Sequence, residues 1–193
     1  MRRTFALLVA LLVPLPALAH PHVMIDAHVV ALFEHGKITA LQMGWKFDPV
    51  YSSSLVKDFD ADKSGTLSAA EIAAIEKEGF QNTREYNYFT YAKIDGKPVE
   101  WPQATDFKVL VQKDALVYAF RLTLPQPIDP RQQAFKLATY EETYYIDLDL
   151  PNDDAAKLIG EGSENCRAVI GQDKETPLFG GVVFPRKFEV SCR

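Results

Sequence analysis

Residues 23–47 read VMIDAHVVALFEHGKITALQMGWKF, and this stretch decides how the fold begins. Residues 23–33 are mostly β-branched or apolar, which is typical of a strand. His35-Gly36 suits a tight turn, and residues 37–47 then have the pattern of a returning strand. The sequence therefore predicts a β-hairpin at the start of the domain.

Beyond this hairpin the chain contains one helical region and many short strands. Residues 50–59 and 68–85 carry good helix formers with apolar residues at helical spacing, and a short helix is predicted at 153–159. Strand patterns separated by turn residues occupy 87–94, 98–101, 107–112, 116–124, 135–140, 144–150, 166–170 and 188–191. We predict a mainly β (α+β) protein, an antiparallel β-sandwich-like domain with an EF-hand-type helix–loop–helix inserted at residues 50–85.

The most specific motif is the acidic stretch between the two predicted helices, residues 60–71. With the first of these residues as position 1 of an EF-hand-type loop, every ligand position carries a suitable residue, and Gly65 stands where the loop turns sharply. Ca²⁺ is a hard cation that takes about 6–8 oxygen ligands. The expected ligands are the side chains of Asp60, Asp62, Ser64 and Glu71 and the carbonyl of Thr66.

Two considerations bear on what this loop does. A solvated acidic turn is the alternative, because Ser68 and Glu71 also fit a capping box at the start of the second helix. Signalling EF-hands normally occur in pairs, whereas the sequence has a single such loop. We therefore expect a structural calcium ion, bound at the affinity of about 10⁻⁴–10⁻³ M that is typical of extracellular sites.

The N-terminus has the order of a secretory signal: Arg2 and Arg3, an apolar run, and small residues ending at Ala19. We predict removal of residues 1–19, which leaves residues 20–193 as a single periplasmic domain. Loss of the two arginines takes the formal net charge from −5 to −7, so a nucleic-acid partner is not expected. No later segment approaches the roughly 20 apolar residues needed to span a bilayer, so no membrane-spanning segment is expected after cleavage.

The chain has two cysteines, Cys166 and Cys192. An even number of cysteines in an exported chain most simply forms a disulfide. The alternative is a thiol metal site, which the spacing of these residues does not favour. We predict a disulfide that ties the C-terminus to the body of the fold.

The predicted cleavage would place His20 at the new N-terminus, with His22 two residues on. The free amine and two imidazoles are nitrogen donors, which suit Zn, Ni, Co or Cu rather than Ca or Mg. Pro21 lacks an N–H and so excludes the square-planar chelate that a third-position histidine can otherwise build. These residues predict a transition-metal site; the alternative is a terminus that binds nothing.

Asp26 and His28 follow on the same face of the predicted strand and are further candidates for this metal. At about 3.3 Å per residue, His22 and His28 would lie about 20 Å apart, so they cannot share one metal unless the chain bends. Across the predicted hairpin, Asp26 and His28 would face Trp45 and Met43. Because that setting is apolar, His28 taken by itself is interpreted as a hydrogen-bonded histidine in the core.

Four stretches carry a family resemblance: residues 20–27 (HPHVMIDA), 44–48, 58–71 and 140–146. They resemble a bacterial family, domain-of-unknown-function family 1007, and the His-Pro-His start is the most specific of the four. Members of that family are described as periplasmic components of an ABC-type transport system and often lie beside nickel/cobalt-type permeases. The resemblance implies an accessory role in transition-metal transport, with an inner-membrane metal permease or ABC-type transporter as partner.

The sequence is compatible with three classes of function. The first is a periplasmic transition-metal-binding accessory protein with a structural calcium site. The second is a calcium-stabilised interaction module that partners a membrane permease and binds no transition metal. The third is an enzyme, for instance a copper oxidase that uses the N-terminal histidine as a chelating brace. The sequence has no recognisable nucleophile motif or glycine-rich phosphate loop, so we expect binding rather than catalysis.

Overall fold

The computed structural model describes residues 21–193. The predicted signal peptide, its cleavage site and His20 lie outside the described residues. The described chain is mainly β, with two sheets and one helix–loop–helix. None of the helices within residues 21–193 is long and apolar enough to cross a membrane.

The predicted hairpin is present, with β1 at Val23–Glu34 and β2 at Lys37–Phe47. His35 and Gly36 have φ values of 51° and 78°, as the tight turns of two-residue hairpins require. The helix–loop–helix follows, with α1 at Pro49–Phe59 and α2 at Ala69–Glu78.

A β-bulge between Leu32 and Phe33 makes one part of the hairpin prediction wrong. The bulge shifts the pairing of β1 with β2 by one residue, so Asp26 lies opposite Lys46 and His28 opposite Gly44. A hairpin without a bulge would have Trp45 and Met43 opposite these two residues. Both belong instead to the buried face of β2, while Asp26 and His28 are exposed.

The second helix is shorter than predicted, because it ends at Glu78 instead of continuing to residue 85. The 3-10 segment Phe80–Phe89 follows it. Asn87 and Tyr88 in this segment have φ values of 53° and 50°, which no strand tolerates. The next strand therefore begins at residue 90 instead of residue 87.

Nine more strands complete the two sheets. They are β3 Thr90–Ile94, β4 Lys97–Pro98, β5 Thr105–Gln112, β6 Ala115–Ile128, β7 Phe135–Thr139, β8 Ile146–Asp149, β9 Ala156–Gly160, β10 Cys166–Gln172 and β11 Arg186–Cys192. Sheet A has the order β5-β6-β2-β1-β8, and β9 also pairs with β1. Sheet B has the order β10-β11-β7-β3-β4.

Sheet A is mixed, so the prediction of antiparallel pairing throughout is wrong. Both β8 and β9 run parallel to β1. The short helix predicted at residues 153–159 is also wrong in its second half, because the 3-10 turn Asp153–Ala155 leads directly into β9. A helix of seven residues has little stability of its own, and backbone pairing with β1 outweighs it.

The core contains inward-facing side chains of both sheets. In β1, the buried positions Val23, Ile25, Ala27 and Val29 alternate with exposed ones, as a half-buried strand requires. Phe80, which follows α2, packs its ring 4.7 Å from that of Phe120 in β6 and so fixes the helical insertion onto sheet A.

Candidate metal centres

The acidic loop between α1 and α2 brings three carboxylates together. One oxygen from each of Asp60, Asp62 and Glu71 lies within 4.8 Å of the other two. Three of the predicted calcium ligands are therefore neighbours in space. Within residues 21–193, His22 and the exposed residues of β1 form no comparable group.

The carboxylate of Asp60 organises the turn of this loop. Its two oxygens accept hydrogen bonds from the backbone N–H of Ser64 at 2.9 Å and of Gly65 at 2.8 Å. Gly65 has a φ of 79°, so the sharp turn predicted at this glycine is present. The N–H of Gly65 is the main cause that lowers the pKa of Asp60 below its ordinary value, which keeps this carboxylate charged at neutral pH.

Ser64 and Thr66 add neutral oxygens to the same loop. The Ser64 hydroxyl donates to the Thr66 carbonyl at 3.0 Å, and the Ser64 N–H donates to Asp62 at 3.0 Å. The donors gathered here are carboxylate, hydroxyl and carbonyl oxygens. This donor set fits Ca²⁺, a hard cation, and suits zinc or copper less well.

Glu71 closes the loop from the first turn of α2. One of its oxygens accepts from the Ala61 N–H at 2.7 Å, and the other accepts from the N–H and hydroxyl of Ser68, both at 2.8 Å. The backbone N–H of Ser68 is the main cause that lowers the pKa of Glu71. The capping box proposed as the alternative is thus present. Each carboxylate oxygen has about two lone pairs, so these bonds occupy both of those on Oε2 and leave one on Oε1 for a cation.

His22 lies at the surface, just before β1. Its backbone N–H donates to the carbonyl of Tyr145 at 2.9 Å, and the two rings lie 4.7 Å apart. The described chain therefore begins beside residues 140–146, one of the stretches that carry the family resemblance. The side chain of His22 is exposed.

Asp26 and His28 both project from the outer face of β1 and are exposed. The interpretation of His28 as a core histidine is therefore wrong, and the β-bulge described above is the physical reason. Gly44 opposite His28 has no side chain, so the imidazole has an open surface beside it. Asp26 and His28 are accessible, but the structure does not bring them together with His22.

Two carboxylates beside this face were missed by the sequence analysis. Parallel pairing with β8 puts Asp147 opposite Met24 and Asp149 opposite Asp26. Burial raises the pKa of Asp147, and the charge of Asp26 adds to the rise. No local pattern could have found this neighbourhood, because it joins strands more than 120 residues apart in sequence.

The predicted disulfide is present between Cys166 and Cys192. These residues lie opposite each other where β10 pairs with β11, so the bond closes the end of that strand pair. Both sulfurs are used in the bond, and the alternative of a thiol metal site is thereby excluded.

Fold and loop together define a class: a mainly β protein of two sheets, with an acidic helix–loop–helix insertion and a disulfide at its C-terminal strand. The chain belongs to the family described as Protein of unknown function (DUF1007), which matches residues 5–177. The resemblance to this family in the sequence analysis is confirmed.

Two relatives are similar to this chain. An uncharacterized protein of Haemophilus influenzae is 26% identical over 165 residues, which is 86% of this chain and 79% of the relative. An uncharacterized 15.5 kDa protein of Spirochaeta aurantia is 26% identical over 94 residues, which is 49% of this chain and 66% of the relative. No solved structure matches the chain. The names of these relatives state no ligand or activity.

Proposed function

We propose that this chain is a periplasmic transition-metal-binding accessory protein of a metal transport system, stabilised by one structural calcium ion. The observation that carries the calcium part is the convergence of Asp60, Asp62 and Glu71 within 4.8 Å. The C-terminal disulfide supports an oxidising, exported location. In this proposal the two sheets form a sandwich-like scaffold, and binding rather than catalysis is its task.

The calcium ion would be held by the carboxylates of Asp60, Asp62 and Glu71, with the Ser64 hydroxyl and the Thr66 carbonyl as neutral ligands. Three carboxylates this close repel one another, and a bound dication removes that repulsion. Since the ligands come from the end of α1 and the start of α2, the ion would join the two helices as an EF-hand does.

Thermal unfolding with and without calcium tests this part. At 10 mM Ca²⁺ and a dissociation constant of about 10⁻⁴–10⁻³ M, linkage gives about 1.4–2.7 kcal/mol of stabilisation. We expect this gain to vanish in the double variant Asp60→Asn/Asp62→Asn. The control Asp58→Asn removes one carboxylate just outside the loop and should keep the gain. An equal response of all three proteins would contradict a calcium site in the loop.

The transition metal would bind at the start of the mature chain, through the amine and ring of His20 and the ring of His22. What supports this part is the exposed imidazole of His22 directly after His20-Pro21. The partner would be an inner-membrane metal permease or ABC-type transporter, which would receive the metal from this accessible end or deliver it there.

Calorimetric titration of Zn²⁺, Ni²⁺, Co²⁺ and Cu²⁺ into calcium-loaded protein that begins at His20 tests the transition-metal part. Micromolar or tighter binding that is lost in His20→Ala/His22→Ala would support the site and rank the metals. His35→Ala is the control, because it removes an exposed imidazole at the opposite end of β1. Equal weak heats from all variants would contradict the proposal.

A calcium-stabilised interaction module is the second candidate, and one observation favours it. A groove of about 840 Å³ lies between α1, the acidic loop and the β5–β6 turn, with Val56, Leu67 and Leu116 among its apolar residues. A membrane permease would dock there without any transition metal. Retained calcium stabilisation together with no transition-metal binding at His20 and His22 would favour this second candidate over the first.

A further inference from the structure

An apolar cavity of about 150 Å³ lies between sheet A and the helical insertion. The indole of Trp45 and the rings of Phe80 and Phe89 line it, and the two phenylalanine rings each lie 5.9 Å from that indole. Protein interiors are close-packed, so an unfilled space of this size is uncommon. An apolar cavity of about 150 Å³ stays dry and accepts a ligand the size of benzene.

One lining residue, Trp45, carries a buried polar group without a partner. The residue is only 2% exposed, and its Nε1–H has no hydrogen-bond partner among residues 21–193. The other tryptophan of the chain, Trp101, shows the usual arrangement, because its Nε1–H donates to the Thr90 carbonyl at 2.6 Å. Buried donors are almost always paired, so the unpaired indole of Trp45 needs an explanation.

Neighbouring protein groups do not supply a strong acceptor to this indole. Phe120 contacts Trp45 edge to face at 4.9 Å, and an aromatic ring is a weaker acceptor than an oxygen. The hydroxyl of Thr83, which also lines the cavity, donates to the Phe80 carbonyl at 2.7 Å. A water molecule in a buried site needs about 2–4 polar partners, which these mainly apolar walls do not offer.

A ligand could reach the cavity past α1. Its outer wall includes Tyr51, Leu55 and Phe59, which are half-buried. These side chains lie on one helix of the insertion and form the side of the cavity that is nearer to solvent. The opposite wall, on β1 and β2, is fully buried and belongs to the sheet.

We propose that this cavity is a binding site for a small, mainly apolar ligand of about one-ring size that carries one hydrogen-bond acceptor oxygen. The apolar body fills the space between sheet A and the insertion, and the acceptor takes the Nε1–H of Trp45. This site uses none of the metal ligands named above, so the test of this cavity is independent of the tests of the proposed function.

Acetophenone and isopropylbenzene are matched probes for this proposal, because they have similar shapes and only the ketone has an acceptor oxygen. Both are titrated into ¹⁵N-labelled full-length mature protein, and the two indole N–H resonances are followed by NMR. We expect saturable binding of both probes, with a downfield shift of the Trp45 indole proton for acetophenone alone. The Trp101 indole, which already donates to a carbonyl, is the internal reference and should not move.

Two variants complete the test. Trp45→Phe removes the donor and should weaken the binding of acetophenone about fivefold, which is the effect of losing one ordinary hydrogen bond. The affinity for isopropylbenzene should stay unchanged. Leu55→Phe fills the cavity from the half-buried wall and should abolish binding of both probes while the fold is retained by circular dichroism. Failure of both probes to saturate, or acetophenone binding that neither substitution weakens, would overturn the proposal.

Discussion

Removal of the disulfide between Cys166 and Cys192 is expected to destabilise the protein while leaving the native strand pairing in place. The bond joins residues 26 positions apart. A closed loop of about this length restricts the unfolded chain by about 3.5 kcal/mol in the loop-entropy treatment. In the native state β11 pairs with both β10 and β7, so sheet B has hydrogen bonds of its own on each side of this strand.

The perturbation is the double variant Cys166→Ala/Cys192→Ala, compared with the parent protein with and without dithiothreitol. Urea unfolding followed by circular dichroism gives the free energy of unfolding. The double variant and the reduced parent should each lose about 3.5 kcal/mol relative to the oxidised parent, which corresponds to a melting temperature lower by about 7–14 °C. A comparison of the reduced parent with the double variant isolates the effect of the thiol side chains, which pack against the core.

A loss of less than about 1 kcal/mol would refute the loop-entropy reasoning, because it would mean that the unfolded chain already holds its C-terminal part together. The m-value gives an independent check. An unfolded chain without the cross-link exposes more surface, so the m-value should rise on reduction. Separate unfolding of β10 and β11 at lower urea would contradict the expectation that sheet B persists.

Two further substitutions test local features by urea unfolding. Lys136→Met removes the 2.8 Å salt bridge to buried Asp173. Burial raises the pKa of Asp173, but hydrogen bonds, led by the one from Lys136, lower this pKa below its ordinary value. The pair therefore stabilises the folded protein above pH about 4, and this contribution is lost as the pH falls. The variant should lose about 2 kcal/mol at pH 7 and less at pH 3; a constant loss would contradict this role. Gly162→Ala, whose Cβ would overlap the Cα of Gly36, should destabilise more than Gly180→Ala, where φ is also positive but space is open.

The acidic loop was predictable because everything it needs lies within twelve consecutive residues. The turn at Gly65 and the carboxylate of Glu71 are fixed by their spacing from Asp60, and the structure brings the acidic members of this set together. The capping box was predictable for the same reason. Sequence spacing alone could not decide between a cap and a cation site. In the structure Glu71 forms the cap and also lies near Asp60 and Asp62.

The hairpin was predictable from its turn, but its register was not. Ala40 and Leu41 are adjacent and both fully buried, which a regular strand does not allow. The shift lies between Ile38 and Ala40, so the buried alternation that includes Ile38 resumes at Leu41 and continues at Met43. Because the bulge changes every pairing beyond it, His28 lies opposite Gly44 instead of Met43.

The parallel pairs of sheet A could not be derived from the sequence at all. Residues 156–160 are as compatible with a helix turn as with a strand, and their partners on β1 are more than 120 residues earlier in the chain. The choice between the two is made by tertiary contacts instead of by local preference. The neighbourhood of Asp26 and Asp149 depends on this pairing and was missed with it.

The position of β1 inside sheet A has a consequence for the order of folding. During synthesis or translocation the N-terminal segment emerges first, yet its second neighbours in the sheet arrive only with residues 146–160. Until then one edge of β1 has unpaired backbone groups, which is a template for association with other chains. Contacts over such a distance also slow folding. The newly made chain therefore passes through a stage in which a holding chaperone that covers this edge would raise the yield of folded protein.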